Sequence, residues 1–181
     1  MKKSMIWSGV IGVFVLSASS ANADILPTND PGIFSPFDHA QVEVVWVSSD
    51  AGYTGELQWV DTGLESSPET LWTNKSASRD QSYALSRLFS AGERIDFRYE
   101  VIVGGIDAFS MGLENDWAQF SVDASDPLNV IVGVEDIRYP RGDMDHNDAI
   151  FRVSFSQAAV PAPGAVALLG LGGLLASGRR R

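Results

Sequence analysis

The chain of 181 residues carries 23 acidic and 13 basic side chains, a formal net charge of −10, and no cysteine. Without cysteine it has no disulfide, thiol nucleophile or thiolate metal ligand, so stability must come from a packed core or a bound ion. All the acidic residues lie between the two ends with eight of the 13 basic ones, giving that middle part a formal charge of −15 and excluding a nucleic-acid partner, which needs a positive footprint.

The first element in chain order is a leader. Lys2 and Lys3 precede an apolar run over residues 5–16, and small residues follow, ending in Ala21-Asn22-Ala23. This is the layout of a secretory signal peptide over residues 1–23. The apolar run is shorter than the ~18 residues of a membrane-spanning helix. Export is therefore expected, with residues 24–159 as one domain.

Within that domain apolar and polar residues alternate, as in Ile95-Asp96-Phe97-Arg98-Tyr99-Glu100-Val101, where Ile95, Phe97, Tyr99 and Val101 would face inward. Strands are predicted over 42–47, 56–60, 95–101, 117–122, 128–134 and 149–155, each rich in β-branched or aromatic residues. Clusters of Gly, Asp, Asn and Ser predict turns over 48–55, 62–68, 104–105, 123–127 and 141–148. Short strands separated by such turns predict an all-β domain, an antiparallel β-sandwich of jelly-roll-like form. Trp46, Trp59, Phe97, Trp117 and Phe151 are the candidate core. Trp72 lies in a polar stretch, so Trp72 and Tyr53 are candidates for exposed rings that stack on sugars. They carry an alternative function, a carbohydrate-binding module or weak glycoside hydrolase acting on exopolysaccharide.

One constellation points to metal chemistry. From Gly133 to Val153 the chain places Glu135, Asp136, Asp143, Asp145, Asn147 and Asp148 on a strand-loop-strand unit. Crowding like charges costs free energy unless a cation or basic side chains neutralise them. Oxygen-only donors suit a hard cation, and Ca²⁺ accepts six to eight of them with flexible geometry, so calcium is the expected ion. Asp143, Asp145 and Asn147 have the alternate spacing by which a curved loop turns successive oxygens toward one centre, with Asp148 beside them. Glu135 and Asp136 would approach from the preceding strand to complete or orient the shell. This is not an EF-hand, since the sixth loop position is Asp148 instead of Gly and the twelfth is Ser154 instead of Glu. The competing reading is a solvated acidic turn offset by Arg138 and Arg141.

The residues Gly133, Glu135, Asp136, Asp143, Asp145, Asn147, Asp148, Phe151 and Val153 resemble the signature of a bacterial surface-domain family catalogued as domain of unknown function 4114. That signature is a Gly-x-Glu-Asp strand end, a variable turn, and Asp-x-Asp-x-Asn-Asp leading into a strand. His146 departs from it, standing where an aromatic is more usual. The resemblance implies surface residence, calcium binding and no known catalysis.

The last element is a tail. Val160-Pro161-Ala162-Pro163-Gly164 leads into an apolar stretch over 165–176 and then Arg179-Arg180-Arg181. This order is similar to the PEP-CTERM sorting signal, with Ala162 where that family has Glu. The resemblance implies an apolar sorting helix over 160–181, an exosortase-type processing partner, transient membrane insertion with the arginines cytoplasmic, and delivery to the surface or extracellular matrix.

Catalytic motifs do not appear. The two histidines, His39 and His146, form no His-Glu-x-x-His zinc pattern. No Gly-x-Ser-x-Gly elbow, phosphate-binding loop or dinucleotide fingerprint is present. The sequence is read as an exported, non-enzymatic, calcium-stabilised β-sandwich protein of the cell surface or biofilm matrix.

Overall fold

Residues 30–61 and 67–158 of the chain are described by a computed structural model. The expected signal peptide and sorting tail lie outside the described residues, as does most of the turn at 62–68. Ten strands follow one another: β1 (Ile33–Phe34), β2 (Ala40–Ser48), β3 (Thr54–Val60), β4 (Glu69–Thr73), β5 (Ser82–Phe89), β6 (Arg94–Val103), β7 (Asp107–Ser110), β8 (Phe120–Asp123), β9 (Asn129–Val134) and β10 (Ala149–Gln157). A 3-10 helix over Glu114–Gln119 precedes β8.

All pairings between these strands are antiparallel. One sheet runs β1-β6-β3-β4, with β7 also paired to β6, and the other runs β5-β2-β10-β9-β8. The alternation in β6 does what the pattern predicts, because Ile95, Phe97, Tyr99 and Val101 are all buried. Opposite them β10 turns Phe151, Val153 and Phe155 inward. The two inner faces meet through edge-to-face ring pairs: Phe97 with Phe151 at 4.9 Å between centroids, Trp46 with Trp72 at 6.1 Å, and Trp59 with Phe89 at 6.1 Å. The domain is thus an all-β, two-sheet sandwich.

Two aromatic assignments change. Trp72, expected at the surface, is 7% exposed and packs against Trp46 and Tyr83. The cause is a register shift between Leu57 and Gln58 in the β3–β4 ladder, where Leu57 pairs with Trp72 and Gln58 with Thr70. Leu71 is left as the bulged residue, so Leu71 and Trp72 are buried in succession and the period of two is broken. Trp117, expected in the core, is half-buried in the 3-10 helix, and its indole N–H donates to the Met111 carbonyl at 3.1 Å.

Candidate metal centre at the mouth of a hairpin

The site begins with a register. β9 and β10 pair with Val134 opposite Ala149, so Glu135 and Asp136 leave one strand where Asp148 enters the other. The Asp148 amide closes this mouth by donating to the Val134 carbonyl at 3.1 Å. Its carboxylate reaches back and accepts the Asp136 amide proton at 2.8 Å. Three carboxylates are therefore drawn together by the ladder itself.

They are also buried. Glu135 is 1% exposed, Asp136 4% and Asp148 8%, and ligand oxygens from the three lie within 4.8 Å of one another. Each accepts a backbone N–H that orients it: Met144 to Glu135 at 3.0 Å, Tyr53 to Asp136 at 3.4 Å, and Asp136 to Asp148. A carboxylate has about four acceptor positions, so each retains capacity for a further partner. Loss of water pushes the Glu135 carboxyl up to about 7, and the charge of Asp148 adds to this. Burial, with Asp136 and other acids nearby, likewise raises Asp148 to about 6. Asp136 is raised by burial and eased back by the Tyr53 amide and by Lys75.

Tyr99 is fully buried on β6, with a hydroxyl that has no hydrogen-bond partner among the described residues. Burial raises its pKa first, and the charges that add to the effect are those of Asp136 and Asp148. Gly55 makes this position possible, since a Cβ there would lie 2.3 Å from the Tyr99 ring. Buried carboxylates held close together, with two of their charges acting on a buried hydroxyl that has no partner among the described residues, fit a site built for a cation and its oxygen shell.

The remaining predicted ligands sit further out. Asp143 and Asp145 are exposed, and they form a second grouping in which Glu135 is the shared member. Asn147 donates its amide to the Asp145 carboxylate, and its carbonyl accepts the Asp50 amide proton at 3.0 Å. The structure therefore inverts the expected arrangement. Glu135 and Asp136, expected to complete a shell built by the loop, lie buried with Asp148, and the alternately spaced Asp143 and Asp145 are exposed. The loop curves because Met144 and His146 both adopt left-handed backbone conformations, with φ of 59° and 54°.

Several residues fix this geometry, of which the sequence reading names Gly133 and His146 but neither Gln119 nor Gly142 in a role at the site. Gln119 is a clamp on the loop after β9: its amide donates to the carbonyls of Glu135 and Ile137 at 3.0 and 2.9 Å, and its side-chain oxygen accepts the Tyr139 N–H at 2.7 Å. His146 places Nε2 3.0 Å from the Ala118 carbonyl, tying the far side of the loop to the 3-10 helix. Gly133 and Gly142 allow close approach, because a Cβ would lie 2.4 Å from the His146 carbonyl oxygen in the first case and 2.3 Å from Glu135 Oε1 in the second. The visible sequence signals were Gly133, as part of the Gly-x-Glu-Asp pattern, and His146, as a departure from the loop signature.

Arg138, which the competing reading sets against the acidic turn, is engaged elsewhere. It grips Asp107 through two nitrogens at 2.7 and 2.8 Å, donates to buried Asp116 at 2.8 Å, and stacks over Phe109. This pairing holds the Asp107 carboxyl below its ordinary value. Lys75 is the cation that acts on Asp136, and its ammonium donates to the Ala51 carbonyl.

No protein-family model matches this chain, and a search of curated proteins finds no match.

Proposed function

We propose that the protein is an exported, non-enzymatic component of the cell surface or extracellular matrix, whose β-sandwich is stabilised by calcium held at the mouth of the β9–β10 hairpin. The observation that carries the metal reading is the cluster of Glu135, Asp136 and Asp148, three buried carboxylates with oxygens within 4.8 Å of one another. Three such charges repel strongly unless a divalent ion or protons intervene. Oxygen donors alone, on a loop able to supply Asp143 and water, match calcium better than a metal that prefers nitrogen or sulfur.

Export and sorting are supported by the sequence of the two ends, and the surface role by the resemblance at Gly133, Glu135, Asp136 and the Asp143–Asp148 loop. In this reading residues 1–23 are removed, and an exosortase-type enzyme acts on the tail at 160–181. The deciding measurement for the metal is the melting temperature of the purified protein in excess Ca²⁺ and in chelator. A clear rise with calcium is expected, and equal melting in both would refute the reading. Mass spectrometry of the mature termini tests the export half independently: intact ends on protein recovered from its native host would refute it.

A further inference from the structure

Beside the buried carboxylates lies a cleft of about 450 Å³, whose walls include Asp50, Tyr53, Arg141 and Asp143. A second cleft of about 330 Å³ runs on toward Ile106 and Arg138. Both are bordered by Tyr53, Asp136, Ile137 and Arg141, so the two clefts are neighbours, one at the proposed calcium site and the other toward the β6–β7 turn. Each falls within the range of about 300–1,000 Å³ that accommodates small-molecule ligands.

Tyr53, expected as an exposed ring, is half-buried and packs in part against the hydrophobic core, and it borders both clefts. Its ring lies against Gly104, where a Cβ would come within 2.2 Å of Tyr53 Cδ1, and Gly104 has φ of +96°. The Tyr53 amide meanwhile donates to Asp136, so the residue that carries the ring also orients a carboxylate of the cluster. The second cleft is also bordered by the fully exposed Ile106.

The chemistry of the walls selects the occupant. Asp50, Asp107, Asp136, Asp143 and Asp148 outnumber the basic groups, and Arg138 is already committed to Asp107 and Asp116. An anionic ligand would be repelled even with one divalent ion present. A neutral sugar ring meets every requirement. Two vicinal hydroxyls give lone pairs to an ion that takes six to eight oxygens, their protons face carboxylate acceptors, and the C–H face of the ring packs on an aromatic side chain. We propose that the first cleft binds a neutral saccharide through a vicinal diol on the bound calcium and through the ring of Tyr53. The proposal rests on the calcium reading above.

The test uses the purified mature protein, with calorimetric titration of methyl mannoside, methyl galactoside and methyl galacturonide in calcium and in chelator, and melting measured on the same samples. The expected result is saturable binding of a neutral glycoside in calcium that is lost in chelator, with the galacturonide weaker. Tyr53→Ala should weaken binding at least tenfold, whereas Tyr53→Phe should retain both binding and the calcium-induced rise in melting. If calcium raises melting but no neutral glycoside binds, the saccharide proposal is overturned and the metal reading stands. Binding that ignores chelator, or that favours the galacturonide, also overturns it. No rise in melting with calcium refutes the metal reading, and the saccharide proposal falls with it.

Discussion

Raising pH from 5 to 8 should destabilise the metal-free protein, and calcium should reverse the trend. The Glu135 carboxyl is pushed from an ordinary 4.5 to about 7 in the folded state, chiefly by burial. Below about pH 4.5 it is protonated in both folded and unfolded chains and contributes no pH dependence. Between those values the folded state binds the extra proton, so stability falls as pH rises. Above about 7 the group is ionised in both states and its penalty is complete. At about 1.4 kcal/mol per pKa unit, Glu135 alone costs about 3 kcal/mol, which for a domain of this size lowers the melting temperature by about 10 °C. Asp148, raised to about 6, acts in the same direction over a lower window. Calcium needs the ionised carboxylates, so its stabilisation should be small at pH 5 and large at pH 8, reaching about 2.7 kcal/mol at a hundredfold excess over its dissociation constant. The assay is thermal unfolding by circular dichroism across pH 5–8, in chelator and in calcium. Glu135→Gln, which keeps the shape and removes the charge, separates this carboxyl from general repulsion: at pH 8 in chelator it should be about 2 kcal/mol more stable than the parent and should not respond to calcium. A metal-free melting temperature that stays flat or climbs between pH 5 and 8 would refute the reasoning.

Other outcomes follow from particular contacts. Asp148→Asn should abolish the rise in melting with calcium, and Asp145→Ala should only reduce it, because Asp148 is buried and Asp145 is exposed; a titration showing equal losses would move the ion outward. Gly142→Ala drives a methyl group into Glu135 Oε1 and should cost about 1–3 kcal/mol in urea unfolding while weakening the calcium response. Arg138→Ala strands the buried Asp116 and should cost about 2 kcal/mol in urea unfolding, a discount on fully buried pairs because Arg138 is partly exposed, with no effect on the rise caused by calcium.

Much of the fold was legible because its central strands obey simple alternation. β2, β3, β6, β9 and β10 were all predicted within a few residues of their observed limits. The strands that were missed lie at the margins and break the pattern for identifiable reasons. β1 and β7 have two and four residues, too few for a period to show. β4 carries the bulge that buries Leu71 and Trp72 together, and β5 carries an irregularity of its own, since Gln41 pairs with Leu88 but Glu43 with Ala84. The predicted strand at 117–122 begins late because Glu114–Gln119 turn as a 3-10 helix, which lets Asp116 reach the Ser110 amide and Arg138.

The site was legible as composition and not as geometry. Spacing in the chain suggested that Asp143, Asp145 and Asn147 point together, but spacing says nothing about depth. Depth comes from the ladder: Glu135, Asp136 and Asp148 flank the last paired residues of β9 and β10, so the rigid end of a central hairpin holds them in the protein while the intervening loop bends out to solvent. Gln119 could not be found from its own position, since its role is to satisfy the backbone of a segment sixteen to twenty residues away. A carboxylate at a strand end is cheap to ionise in water and costly once a neighbouring sheet covers it. Here all three carboxylates are buried, and the charges of Asp136 and Asp148 reach the buried Tyr99 hydroxyl on β6. The same packing that buries the sandwich core therefore creates an electrostatic cost at the hairpin mouth, and under the proposed function a divalent cation would offset it above neutral pH, where protons no longer can.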